Sequence, residues 1–71
     1  MAEIVEAEMV ANVLQVLVQA GDTVAPGAPL FLLESMKMEI PVLTERGGRV
    51  SAVKVVVGDV VQTGDILATL D

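Results

Sequence analysis

The residues best placed to do chemistry lie in the run Glu34-Ser35-Met36-Lys37-Met38-Glu39. Lys37 is one of two lysines in the chain, and a methionine brackets it on each side. A lysine near the tip of a tight turn presents its amine clear of the backbone, on four flexible methylenes. Two methionines on one strand face could serve as gap-fillers in a core. That role leaves unexplained why both flank the lysine. Polarizable, adaptable side chains around an amine instead suit a surface read by partner enzymes. Glu34 and Glu39 are solvated hairpin ends that also suit a basic recognition surface.

Other chemistries are excluded by inventory. The chain has no Cys and no His, so nucleophilic triads, Cys–His pairs, disulfides and His- or thiolate-based metal sites cannot be built. An autonomous enzyme is the least expected class. Ten acids against four bases give a formal charge of −6. Such a surface repels nucleic acid and anionic lipid, favours basic protein partners and keeps a small domain soluble. The acidic Met1-Ala2-Glu3-Ile4-Val5-Glu6 does not resemble a secretory signal. No apolar run approaches the roughly 20 residues of a membrane span. A cytoplasmic location and no membrane partner are expected.

The elements that must position the lysine come from a sequence written twice. Val13–Glu34 aligns with Val50–Asp71 at a constant offset of 37, without gaps and with nine identities over 22 positions. The matches are Val13/Val50, Val16/Val53, Val18/Val55, Gly21/Gly58, Asp22/Asp59, Val24/Val61, Gly27/Gly64, Leu30/Leu67 and Leu33/Leu70. They fall on glycines and spaced aliphatics, the positions that backbone and core dictate. Alternation around Val16, Val18, Val53 and Val55 predicts strands with one buried face. Gly21-Asp22 and Gly58-Asp59 read as turns, in which Asp can bond its own backbone, and Gly27 and Gly64 mark a second turn in each copy. Glu3 to Leu17 carries a weak helical period, but Asn12 and the β-branched residues after it argue against a helix.

Residues 1–71 are therefore expected to form one all-β domain. Each copy supplies about four short strands, and neither half can close a core alone. The two halves, packed face to face, should make a flattened barrel or sandwich of two four-stranded antiparallel sheets with quasi-twofold symmetry. Between the copies, a tight hairpin with Met36-Lys37 near its tip joins strands ending at Glu34 and starting at Glu39. A Gly47-Gly48 turn follows.

The run from Glu34 to Glu39 closely resembles the attachment motif of the biotinyl domains of biotin-dependent carboxylases, usually written Ala-Met-Lys-Met. The resemblance covers nearly the whole chain, including the Gly-Asp turns and the duplication, and extends to short biotinylated (biotin/lipoyl attachment) proteins of bacteria. It implies a flattened barrel of two four-stranded sheets with covalent biotin on Lys37. Met36 and Met38 would be the flanking recognition residues, and Glu34, Ser35 and Glu39 the rest of the motif, open to ligase contacts. The implied partners are a biotin protein ligase, which activates biotin for attack by the Lys37 amine, and biotin carboxylase and carboxyltransferase components. The carrier itself is non-catalytic and a monomer in isolation. The chain departs from the family at Ser35, and at Ala7-Glu8-Met9-Val10-Ala11, where many members carry Ala-Pro-Met-Pro-Gly. No insertion in the first copy could form the protruding thumb of some carriers, so a cofactor on Lys37 should not be held against the domain. A lipoyl domain shares the fold and the hairpin lysine, but its lysine is usually preceded by Asp and followed by Ala or Ser; methionines on both sides favour biotin. An unmodified β-barrel interaction module is the remaining alternative.

Overall fold

A computed structural model describes residues 2–71 and contains eight strands. In chain order they are β1 (Glu3–Glu6), β2 (Ala11–Val16), β3 (Thr23–Val24), β4 (Pro29–Ser35), β5 (Met38–Leu43), β6 (Gly48–Val53), β7 (Val60–Val61) and β8 (Ile66–Leu70). All pairings are antiparallel, in two four-stranded sheets ordered β1-β8-β6-β3 and β5-β4-β2-β7. Glu3–Leu17, where a helical period competes with the strand signals, is β1 and β2. Among the described residues no helix is long and apolar enough to cross a membrane.

The 37-residue shift is a property of the backbone as well as of the sequence. It carries β2 onto β6, β3 onto β7 and β4 onto β8, and it extends to β1 and β5, which the sequence repeat did not include. The register irregularity between Val13 and Gln15 recurs between Val50 and Ala52. The Gly21 N–H bonds the Val50 carbonyl at 2.8 Å, and the Gly58 N–H bonds the Val13 carbonyl at 2.9 Å. In each Gly-Asp turn the aspartate takes its own turn's amide: Asp22 accepts from the Gln19 N–H at 2.9 Å and Asp59 from the Val56 N–H at 3.0 Å. These are the self-bonding turns expected from the Gly-Asp pairs.

The expected barrel of two four-stranded sheets is present, with the two halves interleaved across both sheets. Each sheet holds two strands of the first half and two of the second, and the shift exchanges the sheets. The physical reason lies in the crossed turn bonds above: each copy's Gly-Asp turn finds its backbone partners in the other copy. Neither half can satisfy its own amides alone.

The core is the layer between the sheets. It contains Val5, Ala7, Ala11, Val13, Leu30, Phe31, Leu33, Val50, Val61, Leu67, Ala68 and Leu70. Three repeat-matched pairs (Val13/Val50, Leu30/Leu67 and Leu33/Leu70) are buried in both copies, so these identities of the repeat are core contacts. Phe31, the one aromatic residue, is fully buried and faces Val42 across the β4–β5 ladder. This anchors the hairpin that carries Lys37.

Candidate functional site

β4 and β5 pair in register up to Ser35 and Met38, leaving only Met36 and Lys37 to turn the chain. Both take positive φ, 54° and 65°. That is the type I′ pattern, which matches the right-handed twist of the strands and is ordinarily filled by Asn-Gly. A non-glycine residue in left-handed backbone costs roughly 1–2 kcal/mol. The site therefore holds two strained residues where a plain hairpin would use a strain-free pair. The well-buried ladder beneath, with Phe31 and Leu33 in the core, supplies the packing that keeps the turn in place.

The consequence is extreme display. Met36 is 91% exposed and Met38 64% exposed, and Lys37 is exposed between them. Neither methionine fills the core; the gap-filler role is excluded. Among the described residues the one ion pair is Arg49–Asp71, so Lys37 is committed to no carboxylate. The nearest charged pair on the ladder is Glu34 opposite Glu39, with Glu34 half-buried and Glu39 exposed. Like charges directly opposite one another repel. They leave an electronegative base beneath the amine, open to a basic partner surface.

Ser35 is half-buried at the end of β4 and donates its hydroxyl hydrogen to the Val10 carbonyl at 2.9 Å. This bond spans the fold, tying the hairpin to the β1–β2 loop. The structure thus places all six predicted residues at one end of the barrel, next to Val10 and Val60, which the sequence reading did not count among the site residues. Val10 takes part through its carbonyl, and Val60, exposed on β7, lines a shallow groove with Met9, Val10, Ser35 and Met36. No residue-type signal marks either: a backbone acceptor leaves no trace in the sequence, and an exposed Val resembles any strand Val. Lys54, the other lysine, lies just beyond β6, outside any turn of the Met36-Lys37 kind. No cluster of His, Cys, Asp and Glu able to hold a metal ion occurs among the described residues.

A duplicated, antiparallel eight-stranded barrel with a lysine at an exposed two-residue turn defines the class of small carrier-type domains. Residues 1–70 match the family model described as "Biotin-requiring enzyme". The chain is 59% identical over 70 residues to the biotinylated protein TB7.3 homolog of Mycobacterium leprae, covering 99% of both chains. Among solved structures it superposes on a segment of Kluyveromyces lactis urea carboxylase with a TM-score of 0.92 and 28% identity, covering all of this chain and 6% of that one. The lipoyl domain of the Azotobacter vinelandii 2-oxoglutarate dehydrogenase complex shares the fold, with a TM-score of 0.78 at 20% identity over 94% of this chain and 95% of that one. The chain belongs to the biotin/lipoyl attachment family.

Proposed function

We propose that this domain is a biotin carrier and that Lys37 is its attachment site. The observation that carries the reading is the strained two-residue turn, which holds one uncommitted lysine between two exposed methionines at the end of a rigid ladder. The family match and a relative named as a biotinylated protein support it.

The residues present fit such a group: Lys37 is exposed and, among the described residues, in no ion pair. Attachment requires Lys37 Nζ to give up a proton and attack the activated carboxyl carbon of biotin. The new bond is an amide, the activating group leaves, Nζ sheds a second proton as the amide forms, and a biotin protein ligase or solvent must accept both. When bound, biotin supplies a ureido ring able to hold a carboxyl group for transfer. The domain's own part is mechanical. Its long lysine stem on a stiff hairpin lets a biotin carboxylase site and a carboxyltransferase site share one tethered group. Tethering of this kind gives effective concentrations of about mM. Met36 and Met38 offer adaptable apolar contacts to each partner, and Glu34 and Glu39 offer charge to basic surfaces.

The test is intact-mass analysis of the apo domain after incubation with a biotin protein ligase, ATP and biotin. The wild type should gain one biotinyl group, and Lys37→Arg should gain none while keeping its circular dichroism spectrum. Labelling of the Arg variant would refute the assignment. A parallel reaction with a lipoate ligase and lipoate should leave the mass unchanged.

A further inference from the structure

The Ser35–Val10 bond has a particular place in the fold. Ser35 is the last residue of β4 and pairs with Met38 across the lysine turn, so its backbone is the hinge point of that turn. Its hydroxyl reaches the Val10 carbonyl at 2.9 Å, 25 residues away in sequence. Val10 ends the loop between β1 and β2, and the next residue, Ala11, is buried and pairs with Val61 of β7. The bond therefore couples the lysine turn to an exposed loop that is itself rooted in the sheet.

Met9 is half-buried against the core, but the exposed end of the loop at Val10 has little else to hold it. Residues 7–10 contain no proline or glycine to restrict their backbone. Backbone bonds from Ala7 to Asp65 and from Gly64 to Ala7 fix its start, at 2.8 Å each. Near its middle, the Thr63 hydroxyl approaches the Glu8 carbonyl only at 3.5 Å, too long for a strong bond. At the far end, the loop's side-chain tie to the hairpin is Ser35. The repeat counterpart, residues 44–47, shows what a fully held loop looks like: there the Glu3 carboxylate accepts from the Thr44 hydroxyl at 2.7 Å and from the Glu45 and Arg46 amides.

We infer that Ser35 is a positioning residue for modification of Lys37: its hydroxyl locks the tip of the β1–β2 loop to the hairpin and so presents loop and lysine to the modifying enzyme as one rigid surface. With the bond made, Val10 and Met36 lie on the same shallow groove as Val60. Without it, the turn and the loop are free to move separately, and an enzyme that reads both must order them as it binds. Ordering during binding raises KM and leaves the chemical step untouched. A serine that only supported the fold would not produce that split. The inference rests on the carrier reading above.

The experiment compares the apo wild type, Ser35→Ala and Ser35→Thr as substrates of a biotin protein ligase. Backbone amide order parameters of residues 8–10 and 36–38 are measured on the same proteins by NMR. Loss of one neutral hydrogen bond that preorganises the substrate should raise the KM of Ser35→Ala about threefold to tenfold with kcat unchanged. Order at both segments should fall. Ser35→Thr, which keeps the hydroxyl on a β-branched side chain suited to a strand end, should restore both. An unchanged KM for Ser35→Ala, or a fall in kcat that Ser35→Thr does not restore, would overturn the inference. If wild-type Lys37 is not labelled at all, the carrier reading fails separately. The order parameters then decide the coupling by themselves, and no loosening in Ser35→Ala overturns it.

Discussion

At one end of the molecule β4 and β5 are joined by Met36 and Lys37. At the other end their repeat counterparts, β8 and β1, run side by side with no turn between them. The pairings correspond residue by residue: Leu33 opposite Ile40 becomes Leu70 opposite Glu3, and Phe31 opposite Val42 becomes Ala68 opposite Val5. On this shared frame the ends have diverged. The hairpin end exposes Val10, Met36, Met38 and Val60. The counterparts of Val10 and Val60 are Gly47, which is buried, and Thr23, which is polar.

The loop at the second end is closed down by polar groups. The Thr44 side chain is buried, donates to Glu3 and accepts the Gly47 N–H at 3.0 Å. Partial burial pushes the Glu3 carboxyl up, but the Thr44 hydroxyl, the Glu45 and Arg46 amides and the Arg46 charge outweigh it, and Glu3 sits below the ordinary glutamate range. Duplication supplied two equivalent ends. One also exposes Ile4 and Leu43 but closes its loop with side chains that satisfy the backbone, and the other leaves Val10, Met36, Met38, Val60 and an amine facing outward at a cost in strain.

The largest effect that sharpens this contrast is the loss of all labelling in Lys37→Arg, read by mass with the fold intact. Among stability effects the greatest belongs to the closed end. A Cβ added at Gly47 would lie 2.7 Å from the Pro26 nitrogen and the Val24 carbonyl oxygen, with φ at 74°. Backbone atoms cannot swing aside, so Gly47→Ala should cost about 3 kcal/mol or more, combining overpacking with left-handed strain. Urea unfolding measures it; a loss below about 1 kcal/mol would mean the closed end is softer than its packing implies. The threefold to tenfold KM change of Ser35→Ala comes next.

Smaller still is a substitution at the strained end with the opposite sign. Met36→Asn places a residue tolerant of positive φ in the turn and should stabilise the domain by roughly 0.5–1 kcal/mol while weakening recognition by the ligase. Thermal unfolding and labelling rates check the two halves of that statement. The smallest effect is pH-dependent. Glu3 binds its proton more weakly in the folded than in the unfolded chain. Its contribution is therefore complete above the unfolded glutamate pKa of about 4.3 and is lost as pH falls through the lower folded value. Glu3→Gln should be less stable than wild type at neutral pH, and the gap should narrow as acid protonates Glu3. A gap that widened in acid would contradict the assignment.

Much of this protein was determined by its sequence alone. Identities on glycines, their neighbouring aspartates and spaced aliphatics announced the repeated strands, their turns and a shared core, because backbone geometry and burial act on residue type at short range. Methionines on both sides of a single lysine marked the candidate site for the same reason: residue type carries the chemistry. Tertiary structure alone decided the rest. It interleaved the halves, since each copy's turn amides find their acceptors in the other copy. It added β1 and β5 to the repeat, where pairing is kept although the side chains have changed. It forced Met36 and Lys37 into left-handed backbone, which no glycine or asparagine announced. It also brought the Ser35 hydroxyl to a carbonyl 25 residues away. Contacts between a side chain and a distant backbone group depend on where the chain returns, and residue type does not record that.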